Sequence, residues 1–519
     1  LTDPSAGYSI GSRDDAASYT ERFALGAHMR SSVVLAALAL ATLGACDRQP
    51  VSPDAALTPA AARSARSSGG SVFVVNVTND TTAQNETPIA VNSLNPLNFI
   101  VGGNDWNYND GCSVNASLDG GKSWTPTLPS GFLPGVTRFT NDPAVAGTGR
   151  YDFGGDPAVA FGPDGVAYFA CVGYQATPPY NVALLLSRST DGGVTWLAGG
   201  DAAPLTQVSL WQGNGISKGS TGQFPDHEAI HVAKDGTIYL TWAQFTGSSS
   251  HSPVYVATSH DGGRSFSFAQ KVTSGSVRSD QDQRIVTDPR TGVAYLTFDN
   301  SVQGGKGTAM YVSTSSDKGL SWSAPVQFGT FQNPVCLFPP YCFNISGAAF
   351  RGPGSYPAPA FDPTSNRLYV AYSDIVNGIG QVFLTWADAK DVSHWSPPAV
   401  VAPTTAGDRL NVELSVDPST GRLDAMFYDR SWTNNTLVDV TYASSADGGV
   451  TWSTRRITKS GFDPAAYGVP SGTGVRPFIG DYTGIVSLSG SAAMAWTGPG
   501  KTYGALPTNY EIYFGSAAP

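Results

Sequence analysis

An all-β chain folded as a seven-bladed β-propeller is what the sequence predicts, with six blades as the runner-up. An eight-residue phrase, Ser-x-Asp-x-Gly-x-(Ser/Thr)-(Trp/Phe), recurs at 117–124, 189–196, 259–266, 315–322 and 445–452. Successive starts are 72, 70, 56 and 130 residues apart. The last interval is two periods of about 65 residues, the sign of a repeat architecture, and a decayed copy lies near its middle at 387–395. Short alternating apolar runs precede each copy. With 59 Gly, 36 Pro and 11% aromatics in 519 residues, the chain has too many turn formers for a helix bundle and ample material for a core. The formal charge is -10, with no Lys/Arg run, which speaks against nucleic acid as a partner.

The N-terminus reads as an address. Residues 1–28 are polar, without hydrophobic period, and precede Met29; they are expected to be translation begun upstream of the natural start. Residues 29–45 carry Arg30 and then the apolar run Val33 to Ala45, long enough for a signal peptide and too short for a membrane span. The run ends in Leu43-Gly44-Ala45-Cys46, which resembles the lipobox of bacterial lipoproteins. The resemblance implies lipidation of Cys46 and an exported protein anchored to the cell envelope, periplasmic or at the cell surface. Residues 46–70, rich in Ala, Ser and Pro, suit a flexible tether.

Residues 71–519 form the propeller. In the repeated phrase, Asp accepts backbone hydrogen bonds, Gly supplies positive φ, and the aromatic tucks under the sheet. Before it come two strands separated by a turn signal, as in 228–245, 284–300 and 413–429. Units start near 88, 156, 226, 282, 356, 411 and 478. The last has only three strands, and SVFVVNVT at 71–78 is left over. If that strand completes the last blade, the ring closes without a bare edge.

The phrase is that of the Asp box, and residues 71–519 resemble the sialidase-like BNR-repeat propellers. The resemblance implies that the boxes join third and fourth strands at the blade periphery, away from the ligand face. Asp119, Asp191, Asp261, Asp317 and Asp447 are therefore read as structural.

The first strand of each blade lines the channel. Strand entries carry Asp156, Asp226, His227, Glu228, Asp280, Asp282, Arg284, Tyr356, Arg409, Asn411, Asp481 and Tyr482; second-strand exits carry Asp105, Trp106, Tyr428, Arg430 and Trp432. Acids, arginines and aromatics thus gather on one face of a chain with 13% charged residues. The plain reading is strand-end capping with Arg–Asp pairing; the functional one is a glycan site. The sialidase resemblance implies an arginine triad, for which Arg284, Arg409 and Arg476 are the candidates with Arg430 in reserve. It implies a Tyr nucleophile (Tyr428 or Tyr482), its Glu partner (Glu228 or Glu413) and an Asp acid/base (Asp105). The family's Arg-Ile-Pro phrase is missing, and 88–112 contains no Arg. A two-carboxylate glycosidase would draw instead on Asp226, Glu228, Asp282 and Asp481. Trp106, Asp226, Asp282, Arg430, Trp432, Asp481 and Tyr482 are the binding candidates.

No cofactor or metal is implied. Asp280-Gln281-Asp282 with Asp226 and Glu228 offers oxygen ligands for Ca²⁺, although an exposed acidic turn is the simpler reading. Beyond Cys46, four cysteines allow three pairings; Cys336 and Cys342 bracket a short turn-forming loop and are the favoured disulfide, with Cys112 and Cys171 left open. The chain is expected to be a monomer, reaching the membrane through its lipid alone and acting on a glycan or glycoconjugate. The alternative is a non-catalytic propeller binding glycan or protein through the same face.

Overall fold

The computed structural model describes residues 65–66, 72–79, 82–106, 111–126, 136–138, 149–196, 205–211, 222–246, 251–300, 309–331, 356–471, 474–500 and 508–519. Seven small sheets follow one another along the chain in a ring, a seven-bladed β-propeller. The first strands of blades one to seven are Ile89–Asn92, Phe153–Phe161, Gln223–Val232, Gln281–Thr287, Ala358–Asp362, Arg409–Val416 and Gly484–Leu488. Six begin within three residues of the expected unit starts. The seventh begins six residues late, because 478–483 is irregular chain.

The ring closes as expected. Phe73–Asn76 pairs antiparallel with Thr508–Ala517, Phe73 opposite Ser516, as the outer strand of blade seven. Two additions carry no sequence signal. Ala65–Arg66 lies parallel to Ser453–Arg456 at the edge of blade six. A hairpin of Tyr467–Ser471 and Gly474–Arg476 joins blade seven in parallel to Thr508–Ala517.

The core lies between blades. Each sheet packs on both neighbours, so second strands are buried on both faces; Ala167–Tyr174 is buried at every residue. Such strands read as near-continuous apolar runs because neither face meets water.

All five full copies of the phrase join third and fourth strands or occupy the equivalent turn, and they share one wiring. In blade two, Ser189 Oγ donates to Asp191 Oδ1 (2.7 Å) and accepts from Gly193 N (2.9 Å), while Thr195 N donates to Asp191 Oδ1 (2.9 Å). Blades one, three, four and six repeat it. The Ser123 hydroxyl and backbone hold the Asp119 carboxyl down to about 2. Gly121 has φ +83°, and a Cβ there would stand 2.2 Å from the Phe514 ring, so both conformation and packing demand glycine. The decayed copy keeps its aromatic anchor: Trp395 Nε1 donates to Val392 O (2.8 Å), as Trp452 Nε1 does to Gly449 O (3.1 Å).

A disulfide, Cys112–Cys171, joins the third strand of blade one to the second of blade two. The favoured pair Cys336 and Cys342 lies outside the described residues, as do Cys46 and the signal segment. Among the described residues no helix is long and apolar enough to cross a membrane.

Candidate active site in the axial channel

The site begins with a backbone irregularity. The first strands of blades two, three, four and six carry a bulge, between Gly155 and Ala158, Asp226 and Ala229, Gln281 and Arg284, and Leu410 and Glu413. The bulged residues Asp156, His227, Asp282 and Asn411 have φ of 54°, 56°, 59° and 54°. Glu86, just before the first strand of blade one, has φ 58°. This left-handed region is uncommon for side-chain-bearing residues, and Asp, Asn and His tolerate it best. A bulge re-aims the side chains around it, and strain of this kind collects where a site needs it.

The bulged residues link blade to blade. Asn104 Nδ2 donates to Glu86 Oε2 (2.7 Å), and Asp156 N to Asn104 Oδ1 (2.9 Å). His227 N donates to Asp156 Oδ2 (2.9 Å), and His227 Nδ1 meets Asp282 Oδ1 at 2.6 Å. Asp481 N extends the belt to blade seven, donating to Glu86 Oε1 at 3.2 Å.

Beside this belt a cavity of about 210 Å³ lies in the axial channel, lined from all seven blades. Its walls are mostly Ile, Val, Ala and Pro; Glu228, Arg284, Glu413, His227 and Tyr482 supply the polar groups. Arg284 Nη1 and Nη2 each donate to a Glu413 oxygen at 2.8 Å, a two-pronged pair between blades four and six. Burial pushes the Glu413 carboxyl up, against the opposing pull of Arg284.

Glu228 is 2% exposed, and neither carboxyl oxygen takes a hydrogen bond from another residue. Burial, reinforced by the negative charge of Asp156, Asp226 and Glu86, raises its pKa well above the carboxylate range. The surroundings of Glu228 therefore favour its neutral, proton-bearing form. Burial alone would lower the His227 imidazole, but the Asp282 carboxylate overrides it, with Asp481 and Asp226 assisting, and brings it to about 9. His227 Nε2 has no hydrogen-bond partner. The Tyr482 ring lies 4.9 Å from the His227 ring, and its hydroxyl donates to Pro157 O at 3.0 Å. Burial and the surrounding carboxylates push that phenol well above its usual range.

The structure therefore brings together Glu228, Arg284, Asp282 and Tyr482 of the expected residues, with Asp226 and Asp481 at the belt. It separates others. Tyr428 is fully buried between blades six and seven; its hydroxyl donates to Thr497 O (2.9 Å) and accepts from Thr497 N (3.1 Å), so it is a packing residue and no nucleophile. Arg409 is buried at the edge of blade six against Asp429 (3.1 Å) and the Ala402 carbonyl. Arg430 is 1% exposed with Asp408 at 3.5 Å. Neither converges on Arg284, and the Arg476 side chain lies outside the described residues, so the described residues assemble no arginine triad. Asp105 accepts from Thr82 (3.0 Å) beside Gln84, Trp106 donates to Asn85 (2.8 Å), and Trp432 donates to Thr441 (2.6 Å). The stretch Asp280-Gln281-Asp282 is no exposed turn: all three residues are buried. Among the described residues no group of three or more His, Cys, Asp or Glu is placed to hold a metal ion.

Glu86 was absent from the sequence candidates. Its signal is faint: Glu86 stands two residues before Pro88, just ahead of the first strand of blade one, and Asp156 one residue before Pro157, inside that of blade two.

Fold and site together define a β-propeller whose mostly apolar axial cavity holds two carboxyl groups, Glu228 and Glu413. Its sequence matches no family model and no curated protein. The structure is similar to a Dyadobacter fermentans protein described as of unknown function, at 13% identity and TM-score 0.46, over 86% of this chain and 99% of that one. It is similar to an ulvan lyase, a polysaccharide lyase, at 11% identity and TM-score 0.46, over 84% and 95%. A Hadza microbial sialidase matches at 14% identity and TM-score 0.41, over 81% and 76%. None of these likenesses assigns an activity.

Proposed function

We propose that the axial cavity takes one sugar residue of a glycan and that Glu228 is the proton donor to the departing oxygen. The observation that carries this is a buried carboxyl, met by no other residue, in a cavity walled mostly by apolar side chains, surroundings that favour its protonated form. A general acid must hold its proton at working pH and have it free to give. The cavity is smaller than the roughly 300–1,000 Å³ of drug-sized sites, which suits a single terminal ring. Its apolar walls with a few convergent polar groups suit a ring with apolar faces and polar edges. Arg284 favours the charged form of Glu413, which makes Glu413 the candidate second carboxylate, facing the positive charge that develops on the sugar.

A sialoside is the less favoured substrate. Both terminal nitrogens of Arg284 are taken by Glu413, so a substrate carboxylate would have to displace it. The same pairing, with Arg409 on Asp429, favours the second reading, a propeller that binds glycan without turnover. The Cys112–Cys171 disulfide supports an oxidising compartment and with it export, with lipid on Cys46 as the proposed anchor.

The test is a panel of fluorogenic glycosides, sialosides included, with the wild type and Glu228→Gln, beside a glycan array. Turnover of a neutral glycoside lost in Glu228→Gln is expected. Sialoside turnover would show that Glu413 yields to substrate. Array binding without turnover would establish the second reading, and silence in both assays would sink the glycan assignment.

A further inference from the structure

The two ends of the propeller differ in what they show to solvent. At one end lie the strand entries, the bulges and the polar belt. At the other lie the turns between first and second strands and the repeated-phrase turns between third and fourth. Eight large apolar side chains are exposed among the described residues, and all but Val376 lie at this turn end. Leu118, Leu320 and Val450 are inside repeated phrases, and Phe268, 97% exposed, follows one. Leu94 and Leu97 flank the first turn of blade one, and Phe73 begins the closing strand.

Three of these form a patch. The Leu97 carbonyl accepts from Gly120 N (2.8 Å), which ties the first turn of blade one to its phrase turn. Leu94 and Leu118 lean across to Gly165 and Gly192 of blade two. The three leucines are 67%, 54% and 53% exposed. Single exposed apolar residues need no explanation, but a cluster at one end of a molecule marks a contact. Lys122 and Lys234, both exposed, sit on the same end.

The chain enters at this end too. Ala65 stands opposite Ser453, the residue that follows the blade-six phrase, and Phe73 stands opposite Ser516 beside the first turn of blade seven. Residues 47–64 separate Cys46 from Ala65. A lipid on Cys46 would therefore be joined to the propeller at its turn end.

We infer that the turn end docks on the phospholipid surface that receives the Cys46 lipid, with Leu94, Leu97 and Leu118 entering the interface and the polar belt facing away from it. This rests on the lipidation proposed above and goes beyond it: the lipid alone would leave the propeller free to tumble, whereas the patch gives it one orientation. The leucines match the acyl boundary.

The full-length chain would be expressed with its signal, purified in detergent and reconstituted into vesicles of phosphatidylethanolamine and phosphatidylglycerol. The mass of its N-terminal peptide reports lipidation, and amide hydrogen exchange is compared between detergent and vesicles. Roughly tenfold slower exchange in vesicles is expected for 93–97 and 117–124, with 375–380 at the opposite end unchanged. Leu94→Ser with Leu97→Ser and Leu118→Ser should abolish that slowing while the lipidated protein stays on the vesicles. Equal exchange at both ends of a lipidated, vesicle-bound protein overturns the docking and leaves the anchor standing. An N-terminal peptide without lipid overturns the anchor and the docking with it.

Discussion

Asp191, in a phrase turn, and Glu228, in the first strand of blade three, are acids of the same propeller that live under opposite conditions. Asp191 accepts from the Thr195 backbone and from two hydroxyls, so both its oxygens are met within its own phrase. Glu228 is more deeply buried and is met by no other residue. The first arrangement favours the charged form and anchors a turn; the second favours the neutral form and keeps a proton. Deep burial together with the lack of hydrogen-bond donors separates the candidate catalytic acid from the structural one.

The largest expected effect falls on the unsatisfied side. Glu228→Gln should lower glycoside turnover about 10²–10⁴-fold with little change in stability, read by steady-state kinetics beside thermal melts. A comparable loss from Asp191→Ala would erase the contrast. Arg284→Ala leaves Glu413 buried without its cation and should cost about 3 kcal/mol, seen in the urea midpoint; replacing both with apolar residues should recover most of it. Reduction of Cys112–Cys171, which closes a long loop, should cost about 2–4 kcal/mol and melt blades one and two first in hydrogen exchange.

The pH dependence sharpens the contrast. His227 is raised from its usual 6.5 to about 9. Its contribution is complete below the unfolded value and fades as pH rises through about 9, so stability should fall across that window and His227→Gln should flatten the fall. The phrase acids run the other way: Asp119 and Asp317, both held at about 2, contribute above the ordinary carboxylate range, and that contribution fades as pH falls through about 2. The smallest effect is Asp191→Ala itself, about 1 kcal/mol by thermal melt, because one turn loses its acceptor and water replaces it.

Blade number, strand order and the closing strand were legible because they follow from local chemistry repeated along the chain. The phrase needs Ser, Asp and Gly at fixed offsets whatever its neighbours do, and alternation or its loss reports what a strand faces. Tyr428 shows where that reading stops. It sits near the exit of a second strand, where the pattern allows either the channel or the next blade, and Thr497 of blade seven took its hydroxyl. Arg284 and Arg409 both occupy first strands, yet one found a carboxylate across the channel and the other found one in its own blade.

The sequence by itself determined the repeat, the number of blades, the closure of the ring and the acidic character of one end, since each is written in contiguous residues. Only the tertiary structure decided which acid keeps its proton and which arginine is already spent. Glu228 comes under the charge of Asp156 and Glu86, and Arg284 meets Glu413 129 positions away, only once the blades converge on one axis. Protonation and pairing depend on burial and on charges brought from distant blades, and no local spacing records either.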